Sequence, residues 1–120
     1  MKKMKLPVYK HEDDRRVLTE YVKDLGFKRA KVIEVKKRCS LGNHYHNDSD
    51  SVFFCLKGKT KFRFEPVRTG ARVDIGWMFE GDCEFVPRGV AHTFEVYPDT
   101  ILLELASEPY NEKDEIPFIK

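Results

Sequence analysis

Between Ala30 and Ser107 the apolar positions recur with the period of a sheet. AKVIEVK (residues 30–36) alternates around Val35, and TKFRFEP (60–66) puts Phe62 and Phe64 on one face. SVFFCLK (51–57) is a near-continuous apolar run, and CEFVP, HTFEVY and TILLELA continue the series after Gly81. With Arg16 to Val22 and ARVDI (71–75) included, the strand candidates number about eight. The seven glycines fall at the ends of these runs, where tight turns need positive φ. The pattern predicts an all-β sandwich or barrel. One segment fits two periods. In DDRRVLTEYVKDLG (13–26), Val17, Leu18, Tyr21, Val22 and Leu25 line one face of a helix as well as they fill a strand. We read an edge strand there, and a short arm or helix in the charged tail NEKDEIPFIK (111–120).

A chain of 120 residues fits one domain, here with a barrel core over about residues 28–107 and short extensions at both ends. Hydrophobic residues at 41% and charged residues at 35% describe a soluble globular protein with a highly charged surface. Twenty-two basic against twenty acidic side chains leave a net charge of +2, too little to draw in a nucleic acid by long-range electrostatics. The basic opening MKKMK is followed by charges rather than an apolar core, so no secretion signal is read, and no run approaches the roughly 20 apolar residues of a membrane span. Cys39, Cys55 and Cys83 are odd in number and form no CxxC pair, which argues against a disulfide framework or a cysteine zinc knuckle. The compartment expected is the cytoplasm.

Three of the four histidines fall in two segments that carry the chemistry. In LGNHYHNDS (41–49), strand geometry places His44 and His46 on one face, about 7 Å apart at the backbone, with Tyr45 turned away. Two such imidazoles can converge on a metal at about 2.0 to 2.1 Å from each ring nitrogen. By itself an HxH tripeptide is as often a pair of surface or hydrogen-bonded histidines. The second segment, GDCEFVPRGVAHTFEV (81–96), changes the balance: Pro87 and Gly89 make a rigid turn that delivers His92 to the start of a strand. If that strand lies beside the first, His44, His46 and His92 meet. His11, in the charged segment HEDDRR, reads as surface.

These two segments resemble the paired motifs of the cupin superfamily of small jelly-roll barrels. Gly42, His44, His46 and Gly58 fit the first motif, with a glycine nearer the histidines than the general pattern has it. Gly81, Pro87, Gly89 and His92 fit the second at its usual spacing. The resemblance implies an all-β, single-domain jelly roll whose histidines hold a divalent transition metal such as zinc, iron, manganese or nickel. Two positions depart from the family: Ser51 stands where the first motif has its glutamate ligand, and Val96 where the second has its asparagine. Asp50 is the candidate substitute, but a one-residue shift turns a strand side chain to the opposite face, so it serves only if a bulge sits there. Asp48 is more remote.

GNHYH and LLELASEPYNEKDE are similar to small cupins of sugar-nucleotide and capsular polysaccharide pathways, including keto-sugar isomerases and deoxysugar epimerases. That resemblance implies an alternative in which His44 and His46 act without metal, as acid and base on a carbon beside a ketone. Gly42 and Asn43 stand where many such isomerases carry an arginine. A nucleotide diphosphate needs cations at the barrel mouth, for which Arg38, Arg63, Arg72 and Arg88 are candidates; their plainer reading is solvated charge on polar strand faces. A third reading is a ligand-binding barrel without catalysis. The pocket-lining candidates are Ser51, Phe53, Cys55, Arg63 and Arg88. Phe62, Phe64, Phe85, Phe94 and Trp77 are read as barrel filling or dimer contact, and Cys55 as a small buried hydrophobe. The partners expected are a small-molecule ligand, such as a sugar nucleotide, and a second copy of the chain in a homodimer formed through edge strands.

Overall fold

The computed structural model of the protein describes residues 7, 9–21, 26–68 and 72–118. Among these, β1 (Tyr9–Glu12) and β2 (Val17–Glu20) form an antiparallel hairpin. The Asp13 carboxylate closes its turn by accepting from the backbone N–H groups of Arg15 and Arg16, so the HEDDRR stretch is a folded corner. Val17 and Leu18 therefore lie on a strand. Val22 and Leu25, the positions that made a helix plausible, lie outside the described residues.

The remaining strands make two facing sheets. One consists of β3 (Arg29–Glu34), β5 (Ser51–Lys57), β8 (Cys83–Val86) and β10 (Ile101–Ala106) in the order β3-β10-β5-β8. The other consists of β4 (Cys39–Tyr45), β6 (Lys59–Pro66), β7 (Asp74–Phe79), β9 (Val90–Val96) and β11 (Ile116–Pro117) in the order β11-β4-β9-β6-β7. Every pairing is antiparallel. No helix among the described residues is long and apolar enough to cross a membrane.

The alternation read from the sequence decides which face each strand buries. On β6, Thr60, Phe62 and Phe64 are buried while Lys59, Lys61 and Arg63 are exposed. The inward aromatics meet Phe53, Phe94, Met78 and Leu102 in the core between the sheets. Burying side chains of this size contributes roughly 1.5 to 3 kcal/mol each. β5 is buried on both faces at its start because Tyr21 packs edge-on against the outward Phe54, with ring centroids 5.1 Å apart.

Three expectations change. The strand placed at ARVDI begins at Asp74 and runs to Phe79, so Gly76 is inside a strand and not at its end. The reason is steric: a Cβ on Gly76 would lie 2.8 Å from the Phe62 ring, which crosses the glycine from the paired strand. Trp77 fills no part of the barrel; it sits on the outer face, 42% exposed. The tail forms a single 3-10 turn (Glu112–Asp114) and then β11, which pairs with the histidine strand β4.

Candidate functional site

A bulge turns the histidine strand inward. In the β4–β9 ladder Leu41 pairs with Phe94 and Gly42 with Thr93, but His44 pairs with His92, leaving Asn43 as an extra residue. Gly42 has φ 91° and Asn43 φ 65°, the left-handed conformations in which glycine and asparagine are tolerated. In a regular strand without the bulge, His44, three residues on from Leu41, would take the opposite face. With it, Leu41, His44, His92 and Phe94 all border one interior hollow.

The three histidines meet. One ring nitrogen from each of His44, His46 and His92 lies within 4.8 Å of the others. The rings pack edge to face between His44 and His92, with centroids 4.7 Å apart, and nearly parallel between His46 and His92 at 5.6 Å. Each Nδ1 faces an oxygen. His46 Nδ1 donates to the Asp114 carbonyl at 2.7 Å, which leaves its Nε2 as a free lone pair. His44 Nδ1 lies 3.3 Å from the Glu115 carboxylate, and His92 Nδ1 3.4 Å from the Val90 carbonyl. Burial pushes His92 down to about 4, helped by the neighbouring His44. His44 is also lowered by burial, against the opposing pull of Glu115.

The tail holds this arrangement. The Asp114 carboxylate accepts from the backbone N–H groups of Asn47 and Asp48 at 2.8 and 3.0 Å, and the Phe118 N–H donates to the Asn43 carbonyl at 3.0 Å. Sequence reasoning missed Asp114 and Glu115. Their signal was the charged segment itself, whose partner strand cannot be read from local pattern.

It also missed Glu104. This carboxylate, 5% exposed on β10, borders both openings that reach the histidines. One is a cleft of about 340 Å³ lined by His46, Ser51, Arg29 and Tyr110; the other is a hollow of about 60 Å³ beside His44, His92 and Phe53. Glu104 accepts from Ser51 Oγ at 2.9 Å, pairs with Lys31 at 3.1 Å and lies 3.8 Å from Arg29. Desolvation alone would raise its pKa, but Lys31, Ser51 and Arg29 together hold it below the usual glutamate value. The inward step Leu102, Glu104, Ala106 on β10 is the only sequence sign of it.

The other candidates are placed as follows. Ser51 lines the cleft, and the Phe53 ring lies 5.7 Å from His92. Cys55 does not line the site; it is 1% exposed within the core, its Sγ faces the Lys57 and Gly58 carbonyls, and burial raises its thiol pKa. Asp50 is no substitute ligand. No bulge falls at its position; its carboxylate takes the Arg88 backbone N–H and guanidinium at 2.9 to 3.2 Å, which keeps it out of the histidine cluster. Arg88 is thereby committed to Asp50. Arg63 projects from the outer face of β6 and pairs with Glu65 at 3.0 Å, away from the interior. Arg38 pairs with Glu95, and His11 is exposed beside Asp13.

The polysaccharide biosynthesis C-terminal domain family matches residues 11–103. A relative from Aquifex aeolicus (strain VF5), an uncharacterized protein, is 31% identical over 74 residues; the match takes in 61% of this chain and 55% of that one, so the chain spans about half the length of this relative. The fold is shared with the TDP-fucose-3,4-ketoisomerase WlaRA from Campylobacter jejuni at a TM-score of 0.78 and 19% identity, over 92% of this chain and 85% of that one. A variant of the 3,4-ketoisomerase QdtA from Thermoanaerobacterium thermosaccharolyticum, in complex with TDP, superposes at 0.73 with 26% identity, over 92% and 83%. The capsular polysaccharide assembling protein CapF from Staphylococcus aureus superposes at 0.69 with 21% identity, over 97% of this chain and 34% of that one. The two facing antiparallel sheets are a cupin jelly roll, and the chain belongs to the polysaccharide biosynthesis C-terminal domain family.

Proposed function

We propose that the protein isomerises or epimerises a nucleotide-linked keto-sugar, with His46 and His44 moving a proton on a carbon beside the ketone. The observation that carries this reading is the tautomer lock at the cleft. The Asp114 carbonyl holds the His46 proton on Nδ1, so the Nε2 lone pair is available to take an acidic C–H proton. The electron pair of that bond passes to the ketone oxygen as an enediol or enolate. Return of a proton to the former carbonyl carbon, with the hydroxyl proton of the first carbon passing to the other oxygen, shifts the carbonyl, and return to the opposite face of the first carbon inverts the centre. His44, with Glu115 against its Nδ1, is the second proton carrier. His92, pressed toward its neutral form, serves as a hydrogen-bonding wall. The 340 Å³ cleft lies in the size range of small-molecule sites, and the 3,4-ketoisomerases that share the fold support the substrate class.

The test is incubation with TDP-4-keto-6-deoxyglucose and related TDP-keto-sugars in deuterium oxide, followed by proton NMR. Exchange of the proton beside the ketone is expected, and its loss in His46→Ala. No exchange with any member of the panel would overturn the reading.

The histidine spacing favours a second reading, a metal-assisted cupin. His44, His46 and His92 would hold a divalent transition ion once their nitrogens, within 4.8 Å of one another, draw in to the roughly 3.4 Å that bonds of about 2.1 Å require; each ring has its Nδ1 on an oxygen, as ligating histidines usually have. When bound, such an ion would polarise the ketone oxygen as a Lewis acid. Elemental mass spectrometry of the protein and of His46→Ala separates the readings. A stoichiometric ion lost in the variant supports the metal site, and an ion retained by the variant rules it out.

A further inference from the structure

The outer face of the five-stranded sheet carries a row of aromatic side chains that the interior site does not use. Trp77 lies between Phe79, with ring centroids 6.1 Å apart and planes at 14°, and Tyr97 at 5.8 Å and 22°. Trp77 is 42% and Phe79 54% exposed, and Ile75 extends the row along β7. Such side chains are normally spent in a core or an interface.

Cations run alongside the rings. On the paired strand β6, Lys59 stands opposite Phe79, Lys61 opposite Trp77 and Arg63 opposite Ile75. The Lys59 ammonium lies 5.7 Å from the Trp77 centroid and 5.1 Å from that of Tyr97, and Arg38 stacks over Tyr97 at 5.2 Å. Arg38 and Arg63 are paired with Glu95 and Glu65, but among the described residues no carboxylate pairs with Lys59 or Lys61. A groove of about 270 Å³ lined by Lys61, Arg63, Ile75 and Glu95 continues the row, the Glu95 carboxylate being taken by Arg38.

This charge pattern selects the occupant. A two-fold dimer through this face would set the same patch against itself, lysines near lysines, and would desolvate cations without anions to meet them. An anionic partner answers the lysines instead. A row of three rings suits an extended ligand with several apolar ring faces, and pyranose rings present such faces through their C–H bonds. A net charge of +2 is small for a phosphate polymer, and the chain's family is one of polysaccharide biosynthesis. We propose that the Phe79–Trp77–Tyr97 row with Lys59 and Lys61 is a binding face for an acidic oligosaccharide, the rings taking the sugar faces and the ammonium groups the carboxylates.

Trp77 is the single tryptophan, so its fluorescence reports on this face directly. The probes are oligogalacturonate tetramer, maltotetraose as its neutral counterpart and oligothymidylate. A saturable change of emission with oligogalacturonate is expected, weakened by salt and much smaller with maltotetraose. Affinity should fall about tenfold in a Lys59→Ala/Lys61→Ala variant, as two lost surface ion pairs imply, and stay unchanged in His46→Ala. The proposal fails if oligogalacturonate leaves the emission unchanged, if the lysine variant binds equally well, or if oligothymidylate binds more tightly. It also fails if the protein forms dimers that Trp77→Ala dissociates.

Discussion

Ser51 on β5 donates its hydroxyl to Glu104 on β10 across 2.9 Å. The position where the first cupin motif carries a glutamate thus holds a hydrogen-bond donor, and the carboxylate stands on the next strand. The two side chains share the interior beside the histidines, so there is room for one negative charge and not for two. Ser51→Glu should destabilise the fold by more than about 2 kcal/mol, since two carboxylates in contact cannot both ionise in a buried site. Adding Glu104→Ser should restore most of the loss. Urea denaturation of the single and double variants checks this, and equal stability of Ser51→Glu and the parent would refute it.

Gly42 fixes the bulge that turns His44 inward. Its φ is 91°, and a Cβ there would lie 2.6 Å from the His92 carbonyl oxygen, a backbone atom with no rotamer by which to escape. Gly42→Ala should therefore cost at least about 1 to 3 kcal/mol and scatter the histidine cluster. Asn43→Gly, at a left-handed position without that contact, should stay within about 1 kcal/mol of the parent. Thermal unfolding gives the stabilities, and the histidine ring signals in an NMR correlation spectrum report the cluster.

The strands and their inward faces were legible because each rests on a period of two along the chain. HxH put His44 and His46 on one face, and the resemblance to the paired cupin motifs, with the Pro87–Gly89 turn, brought His92 to them across the β4–β9 pairing. The bulge was visible only as a glycine too close to His44. Glu104, Asp114 and Glu115 were not legible, because their roles come from contacts 53 to 71 residues apart in sequence, which no local pattern encodes. Asp50, offered only on condition of a bulge, precedes β5 and is held by Arg88 instead. Its partner Arg88 lies on the turn before β9.

Stability should fall with acid in a window set by His92. Its folded pKa, about 4, lies below the unfolded value near 6.5, because burial disfavours the imidazolium. Between these values the unfolded chain binds a proton that the folded chain refuses. The His92 contribution is therefore complete above about pH 6.5 and lost as pH falls toward 4, by an amount on the order of 3 kcal/mol. Protein freed of metal by a chelator should show this slope in urea midpoints between pH 7 and pH 4. His92→Phe, which keeps a ring but cannot titrate, should show a shallower one. Parallel slopes in the two proteins would sink the assignment.

Asp114 borders the cleft, yet it should act on the chemistry mainly through the loop and the histidine it holds. Asp114 is 9% exposed and makes three contacts to one loop: its carboxylate holds the Asn47 and Asp48 N–H groups, and its carbonyl holds His46 Nδ1. Asp114→Ala removes two charge-assisted hydrogen bonds, at a local cost of about 2 to 3 kcal/mol, and releases the segment that carries the carbonyl. Because β11 is only an edge pair on β4, the barrel itself should stay folded. Amide hydrogen exchange at Asn47 and Asp48 should accelerate, while that of the β5 and β9 core does not change. Proton exchange on the keto-sugar should drop by about 10- to 100-fold, as the loss of a supporting partner commonly does to a positioned histidine. Activity that falls with no change at Asn47 and Asp48 would mean that Asp114 acts on the ligand directly, and fast exchange with full activity that His46 needs no tail to orient it.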